Sequence, residues 1–368
     1  MDDSSHLDFR HAFLAWFLGA FGIFFFGAGA INYAVDPGRL FSRGTEEQVA
    51  KELLSGHHLV GPGNFDDRLL RKQIIERESM VRHTIVLGSS RALYLRASDI
   101  GSDRDSFFNH SVGCAVLEDI LAITQLLRDK GHLPAKMVLG VDPWLFNSGL
   151  KRDAWRSLAV EKERMVADLG ESLSELTAEP SRIRELFSLE YTWMSVQSVV
   201  RGREAATLRP VPSDTMPREV TMFADGSRNF GLDAEETSTL GLDPVKGGRQ
   251  IGVGQIFGLE GFDRIDAERV RIFEKWLLQM RKHRVEVTLF LIPFAPVIYQ
   301  TIDANPRYRP VLEVEQGLKG LSKRLGMELR GSYNPAIAGC RGADFIDGLH
   351  AKPACLRRVW GLRSSPQP

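Results

Sequence analysis

The sequence predicts an α/β protein: a mainly parallel sheet covered by helices on both faces, that is, a three-layer α/β/α sandwich. Three observations carry this. Short apolar runs of strand length recur at residues 84–87, 136–142 and 285–292. Amphipathic helical patterns of a dozen residues or more stand between and after them, at 116–127, 263–283 and 308–325. Strands that alternate with helices favour parallel pairing, because the return crossover needs a helix. The chain has 368 residues and is 43% hydrophobic, enough for one large domain with insertions or for two. Lys plus Arg equals Asp plus Glu at 47 each, so no global field points to nucleic acid, and none is expected as a partner.

Residues 12–31 carry no charge and are rich in Phe, Leu, Ala and Gly. That length suits a helix crossing a bilayer, with Trp16 and Tyr33 placed for its two interfaces. A cleaved signal peptide is the alternative. The run is long for one, and residues 32–37 (Asn-Tyr-Ala-Val-Asp-Pro) make a poor cleavage site, so the reading is an uncleaved anchor over residues 1–35. Arg10 is the only Lys or Arg before the span, whereas Arg39, Arg43 and Lys51 follow it. Counted literally, this argues against an outside carboxyl-terminal domain. Residues 36–81 read as a polar approach segment, to about residue 64, and a short charged helix at 66–80.

The strand at 84–87 runs into Gly88, Ser89, Ser90 and Arg91. Gly88 allows a tight turn, and residues 92–95 begin a helical pattern. A hydroxyl at the carboxyl end of a parallel strand, facing a helix amino terminus, is placed for nucleophilic attack. An ordinary turn or N-cap is the alternative. A second short strand ends at Phe107-Phe108-Asn109, and a turn, His110-Ser111-Val112-Gly113-Cys114, leads to the helix at 116–127. The third strand ends at Gly140-Val141-Asp142, followed by Pro143-Trp144-Leu145-Phe146-Asn147, where Trp144 either lines a site or packs.

Residues 148–262 interrupt the pattern. They are helical and charged from 154 to 200, with a break at Glu179-Pro180, then rich in Gly, Pro, Asp and Arg. They read as an insertion, a candidate lid or substrate-recognition region. The Asp225-Gly226-Ser227 triplet in it follows only a Phe-Ala step and favours a hairpin turn. The α/β domain is therefore 82–147 with 263–368. Past a short strand at 327–329 comes Asp344-Phe345-Ile346-Asp347-Gly348-Leu349-His350, a carboxylate three residues before an imidazole. A serine hydrolase needs a base for the hydroxyl proton and a carboxylate to hold that base, and this one loop offers both.

The Gly-Ser-Ser turn and the Asp-x-x-His loop together resemble the SGNH, or GDSL-type, hydrolase superfamily, over residues 82–147 and 264–360. The resemblance implies an SGNH/flavodoxin-like sheet, with Ser90 as nucleophile, His350 as base and Asp347 as its orienting partner. Ser89 stands where many members have Asp. The resemblance also implies an oxyanion hole built from the N–H groups of Ser90 and Gly113, with Asn109 opening the second block. The third block departs from the family: Asp142 stands where an Asn usually donates, and an ionised carboxylate cannot donate. Arg91 is a candidate contact for an anionic substrate, or an ion pair within the fold; Asn109 and Trp144 are further candidate substrate contacts.

No metal or cofactor is expected, since the nine His residues do not cluster at ligand spacing. Cys340 and Cys355 bracket the Asp347–His350 loop and would pin it if bonded in an oxidising compartment; two free thiols are the alternative. The expectation is thus a single-pass, membrane-anchored serine esterase or O-acyltransferase acting on acyl esters, acetyl first among them, of cell-envelope carbohydrate. The charge count at the span is small, and because the family it resembles acts on the far side of the membrane, the domain is expected to be periplasmic or extracellular. The anchored branch resembles D-alanyl transfer and polysaccharide O-acetylation proteins. A lipid esterase or thioesterase of the same fold is one alternative. An inactive module that binds polysaccharide or docks onto a membrane-bound acyltransferase is another.

Overall fold

The computed structural model describes residues 3–35, 44–61, 65–172, 187, 192–193, 195–196, 199, 208–231, 251–252 and 255–361. The break expected at Glu179-Pro180, and parts of the approach segment and of the insertion, lie outside these. The chain divides into two compact units: Met1–Thr45 with Pro62–Phe65 and Ala178–Thr207, and Glu46–Gly61 with Asp66–Thr177 and Leu208–Pro368.

In the first unit, helix α1 spans Asp3–Val35, and its stretch Phe13–Val35 is long and apolar enough to cross a membrane. Most side chains of that stretch are exposed, among them Phe13, Phe17, Phe21, Phe24 and Phe26, whereas Asn32 is buried.

The second unit is mixed α/β. In chain order its principal elements begin with α2 (Thr45–Leu54), β1 (His58–Val60), α3 (Asp67–Arg77), β2 (Thr84–Leu87), β3 (Phe107–Asn109) and α4 (Leu117–Asp129). Then come β4 (Lys136–Gly140), α5 (Ala159–Asp168), β5 (Arg209–Val211), β6 (Thr221–Met222), β7 (Arg228–Asn229) and the β8–β9 pair (Ile251–Gly252, Gln255–Ile256). The chain closes with α6 (Ala267–Lys282), β10 (Glu286–Leu291), α7 (Pro296–Ala304), α8 (Arg309–Leu325), β11 (Glu328–Gly331) and α9 (Pro353–Trp360).

Five strands form one parallel sheet in the order β11-β10-β4-β2-β3. Its side chains alternate between two cores, as the two-residue period of a strand requires. Ile85, Leu87, Met137, Leu139, Val287 and Leu289 pack with α4, α6 and α8. Val86, Val138 and Phe290 pack with Tyr94, Leu95, Phe345 and α9. Each fully buried Leu, Ile or Phe contributes about 1.5–3 kcal/mol, so these alternating rows hold the register of the sheet. The helix boundaries follow local chemistry. Asp66 and Asp266 cap α3 and α6 by accepting from N–H groups of the first turn, and Gly326 ends α8 in the left-handed conformation.

The segment at 36–64 contains α2 and β1, and β1 is buried and pairs with β5 and β6 of the insertion, in the sheet β5-β1-β6-β7. One expectation is corrected. Residues 92–95 do not begin a helix. They form turns, then a short 3₁₀ segment at Ala97–Asp99. The carbonyls a helix would use are claimed elsewhere: Asn109 Nδ2 donates to those of Ala92 and Leu95, each at 2.9 Å, and the Arg228 N–H donates to that of Leu93 at 2.8 Å.

Candidate active site

The parallel strands deliver their carboxyl ends to one edge, and the loops there carry the candidate site residues. β2 ends at Leu87, and the chain turns at Gly88. A Cβ at Gly88 would lie 2.9 Å from that of Ala92 and 3.2 Å from the carbonyl oxygen of Gly140, so only glycine lets the turn close against β4. Ser89 and Ser90 follow, and the turn is held by the Ala92 N–H donating to the Ser89 carbonyl at 2.9 Å. The two serines diverge. Ser89 is buried; its Oγ accepts from the Arg91 N–H at 3.2 Å, and its hydroxyl bonds to Asp142. Ser90 remains partly exposed and faces His350.

The second component comes from the loop between β11 and α9. Asp347 Oδ1 accepts from the N–H groups of Leu349 and His350, each at 2.8 Å, which bends the loop around the carboxylate. Its Oδ2 lies 2.8 Å from His350 Nδ1, and His350 Nε2 lies 2.9 Å from Ser90 Oγ. Burial pushes the Asp347 carboxyl up, but His350 and the two N–H groups outweigh it and hold the pKa at about 2. An ionised Asp347 can only accept, so Nδ1 must carry the proton toward it. In the neutral imidazole that leaves Nε2 as the acceptor for the Ser90 hydroxyl, the tautomer a general base needs. Ser90, His350 and Asp347 thus form one hydrogen-bonded chain across a sequence separation of 260 residues. The loop is also closed covalently: Cys340 and Cys355 are joined in a disulfide.

The other expected site residues take different places. The Gly113 N–H donates to Asp67 Oδ2 at 2.8 Å, so a carboxylate of the protein already occupies the donor expected for the oxyanion. Asp67 in turn pairs with Arg228, and Arg228, Arg71 and the Gly113 N–H draw its pKa down against its burial. Among the described residues, the Ser90 N–H has no hydrogen-bond partner.

Asp142 does not face the site as an oxyanion group. It is buried, and its Oδ1 accepts from Arg91 Nη1 at 2.6 Å. Burial raises its pKa, while Arg91, Ser89 and His350 pull it back.

Arg91, Asn109 and Trp144 are likewise closed to substrate. Arg91 is 1% exposed and donates through Nε to the Leu349 carbonyl at 3.1 Å and through Nη2 to the carbonyls of Ile292 at 2.5 Å and Pro293 at 2.9 Å. Its guanidinium also lies over the Phe294 ring at 4.1 Å. Asn109 spends its amide on the turn after Ser90, as described, and its Oδ1 accepts from the Ser111 N–H. Trp144 is buried and donates Nε1–H to the Ala115 carbonyl at 2.9 Å. All three shape the edge rather than line it. A buried polar group must find a partner, and these find theirs chiefly in backbone carbonyls of the loops that follow the strands or precede α4, with Asp142 added for Arg91.

Sequence reasoning missed Phe230. It follows β7 in the insertion, its ring meets that of His350 at 5.1 Å, and its N–H donates to Tyr94 Oη at 2.9 Å. Its only sequence signal is an aromatic among polar and glycine residues, which says nothing of where it lands. Among the described residues, no group of three or more His, Cys, Asp or Glu side chains is disposed to hold a metal ion. No family model matches the chain, and no curated protein matches it.

Proposed function

We propose that this chain is a membrane-anchored serine esterase or O-acyltransferase of SGNH type, with a three-layer α/β/α domain, acting on acyl esters of cell-envelope carbohydrate. The observation that carries the reading is the bonded sequence Ser90 Oγ, His350 Nε2, His350 Nδ1, Asp347 Oδ2, at 2.9 and 2.8 Å. In this reading Ser90 attacks the ester carbonyl while His350 takes its proton, and Asp347 stabilises the imidazolium that forms. The imidazolium then gives that proton to the sugar oxygen as its bond to the acyl carbon breaks, which leaves the acyl group on Ser90 Oγ. Water or a second hydroxyl releases the acyl group by the reverse path. The Ser90 N–H is the donor available to the oxyanion, because Gly113 is engaged by Asp67. Phe230 against His350 supplies an apolar wall suited to a short acyl group.

The anchor in this reading is the stretch Phe13–Val35, and the catalytic unit lies outside the membrane, where a disulfide persists. A fluorophosphonate probe tests the chemistry. The full-length protein should be labelled on Ser90, and Ser90→Ala should lose both labelling and turnover of an activated acetyl ester while keeping its unfolding midpoint. Labelling elsewhere, or equal turnover by Ser90→Ala, overturns the assignment. Silence of the wild type toward probe and esters alike would favour a binding module on the same fold.

A further inference from the structure

Within the first unit, a piece of the insertion packs on the apolar helix. The Phe187 ring stacks on that of Phe25, with centroids 4.3 Å apart and planes 7° from parallel, and meets Phe26 edge-on. The ring sits so close that a Cβ on Gly29 would come within 2.6 Å of it. Asn32 Nδ2 donates to Thr192 Oγ1 at 2.8 Å, and both Asn32 and Ser195 are fully buried. Phe25, Gly29 and Asn32 are spaced four and three residues apart, so the contacts run along one face of α1.

The depth of these contacts matters. At ~1.5 Å per residue, a span of Phe13–Val35 is about 34 Å long, with Phe25 about 18 Å and Gly29 about 24 Å from its start. Both positions fall inside a hydrocarbon core of ~30 Å. Whatever packs on them stands at hydrocarbon depth as well. Residues 187–200 suit that place: fourteen residues, with Glu190 as the one charge. A run of ~10–14 is too short to span and has the length of a re-entrant or interfacial segment. Thr192, Trp193, Ser195, Val196 and Val199 are helical, which satisfies backbone groups without water. The hydroxyl of Thr192 meets the Asn32 amide across the two segments, the kind of polar contact that joins helices in lipid. Facing away, Trp193, Val196 and Val199 recur every third residue and are exposed, at 63%, 45% and 64%.

We infer that Phe187, Thr192, Trp193, Ser195, Val196 and Val199 enter the membrane beside α1, and that acyl chains of the bilayer cover the Trp193–Val196–Val199 row. The inference rests on the reading of α1 as a membrane span. It gives the insertion a role as a second membrane contact, on a surface continuous with the first.

Depth-resolved quenching tests it in the full-length protein, reconstituted in phosphatidylcholine vesicles. In a Cys114→Ser background, an environment-sensitive fluorophore is placed at Ile23→Cys in the span, at Trp193→Cys and Val196→Cys, and at Val160→Cys, an exposed position on α5. Doxyl-labelled lipid should remove more than half of the emission at 23, 193 and 196 and leave 160 unchanged. Quenching at 23, with 193 and 196 behaving as 160 does, would overturn the inference while keeping the span, and would assign the row to a protein partner or to solvent. Absence of quenching at 23 would overturn the span and the inference together.

Discussion

Replacing Arg91 by Met should unfold the protein more easily than any change at its surface. The guanidinium is 1% exposed and holds four groups from three separate places: Asp142 after β4, Ile292 and Pro293 after β10, and Leu349 beside His350. Breaking a buried pair from one side leaves the other charge uncompensated, which typically costs ~3–5 kcal/mol. Arg91→Met keeps much of the side-chain volume, so the loss reports the polar contacts more than a cavity. Adding Asp142→Asn removes the stranded charge. The double variant should therefore recover ~1–3 kcal/mol relative to Arg91→Met alone. Arg91→Lys keeps the charge but donates from a single atom, which cannot reach all four acceptors now met by Nε, Nη1 and Nη2, and should fall between wild type and Arg91→Met. Urea unfolding of the detergent-solubilised protein, followed by tryptophan fluorescence, reads these differences. Trp144 lies 5.8 Å from the guanidinium and serves as a local reporter. If Arg91→Met costs under ~1 kcal/mol and the second change adds a further loss, Arg91 and Asp142 do not form a stabilising buried ion pair, and the reasoning fails.

Three further outcomes follow from the same geometry. Ser89→Ala should cost ~1 kcal/mol for its lost buried hydrogen bonds yet keep most ester turnover, since Ser90 Oγ is the group that meets His350; loss of turnover with unchanged stability would reverse the roles of the two serines. Asp347, held at about 2 against an ordinary 3.8, stabilises the folded state above its ordinary pKa, and that contribution, ~2 kcal/mol, is lost as pH falls through about 2. Unfolding midpoints measured from pH 5 to 2 should fall more steeply for wild type than for Asp347→Asn, and parallel curves would show that no such linkage exists. Opening the Cys340–Cys355 disulfide, which closes 15 residues of chain, should lower stability by ~3 kcal/mol and slow ester turnover by loosening the loop of Asp347 and His350. An unchanged urea midpoint after Cys340→Ala with Cys355→Ala would contradict this.

What the sequence determined by itself is the set of features that need only near neighbours. The β-branched run at 84–87, the apolar strand at 286–291 and the amphipathic helices around them were legible because periodicity is local. So were the apolar stretch of α1 and the two short motifs holding Ser90, Asp347 and His350. Asp347 and His350 are bonded within one turn, and spacing alone was enough to suggest that.

Tertiary structure decided whatever depends on competition for hydrogen bonds across the chain. Helical pattern at 92–95 lost to Asn109 and Arg228, which take the carbonyls a helix would need. The N–H of Gly113 went to Asp67, 46 residues earlier, rather than to the site. Arg91 and Asp142 became each other's partners because burial leaves a charge no cheaper choice than an opposite charge and free carbonyls. His58–Val60 became a strand only because residues 209–211 and 221–222 arrive to pair with it. A polar segment does not announce its partners, since a backbone N–H or C=O is the same in every residue and only the fold determines which ones meet.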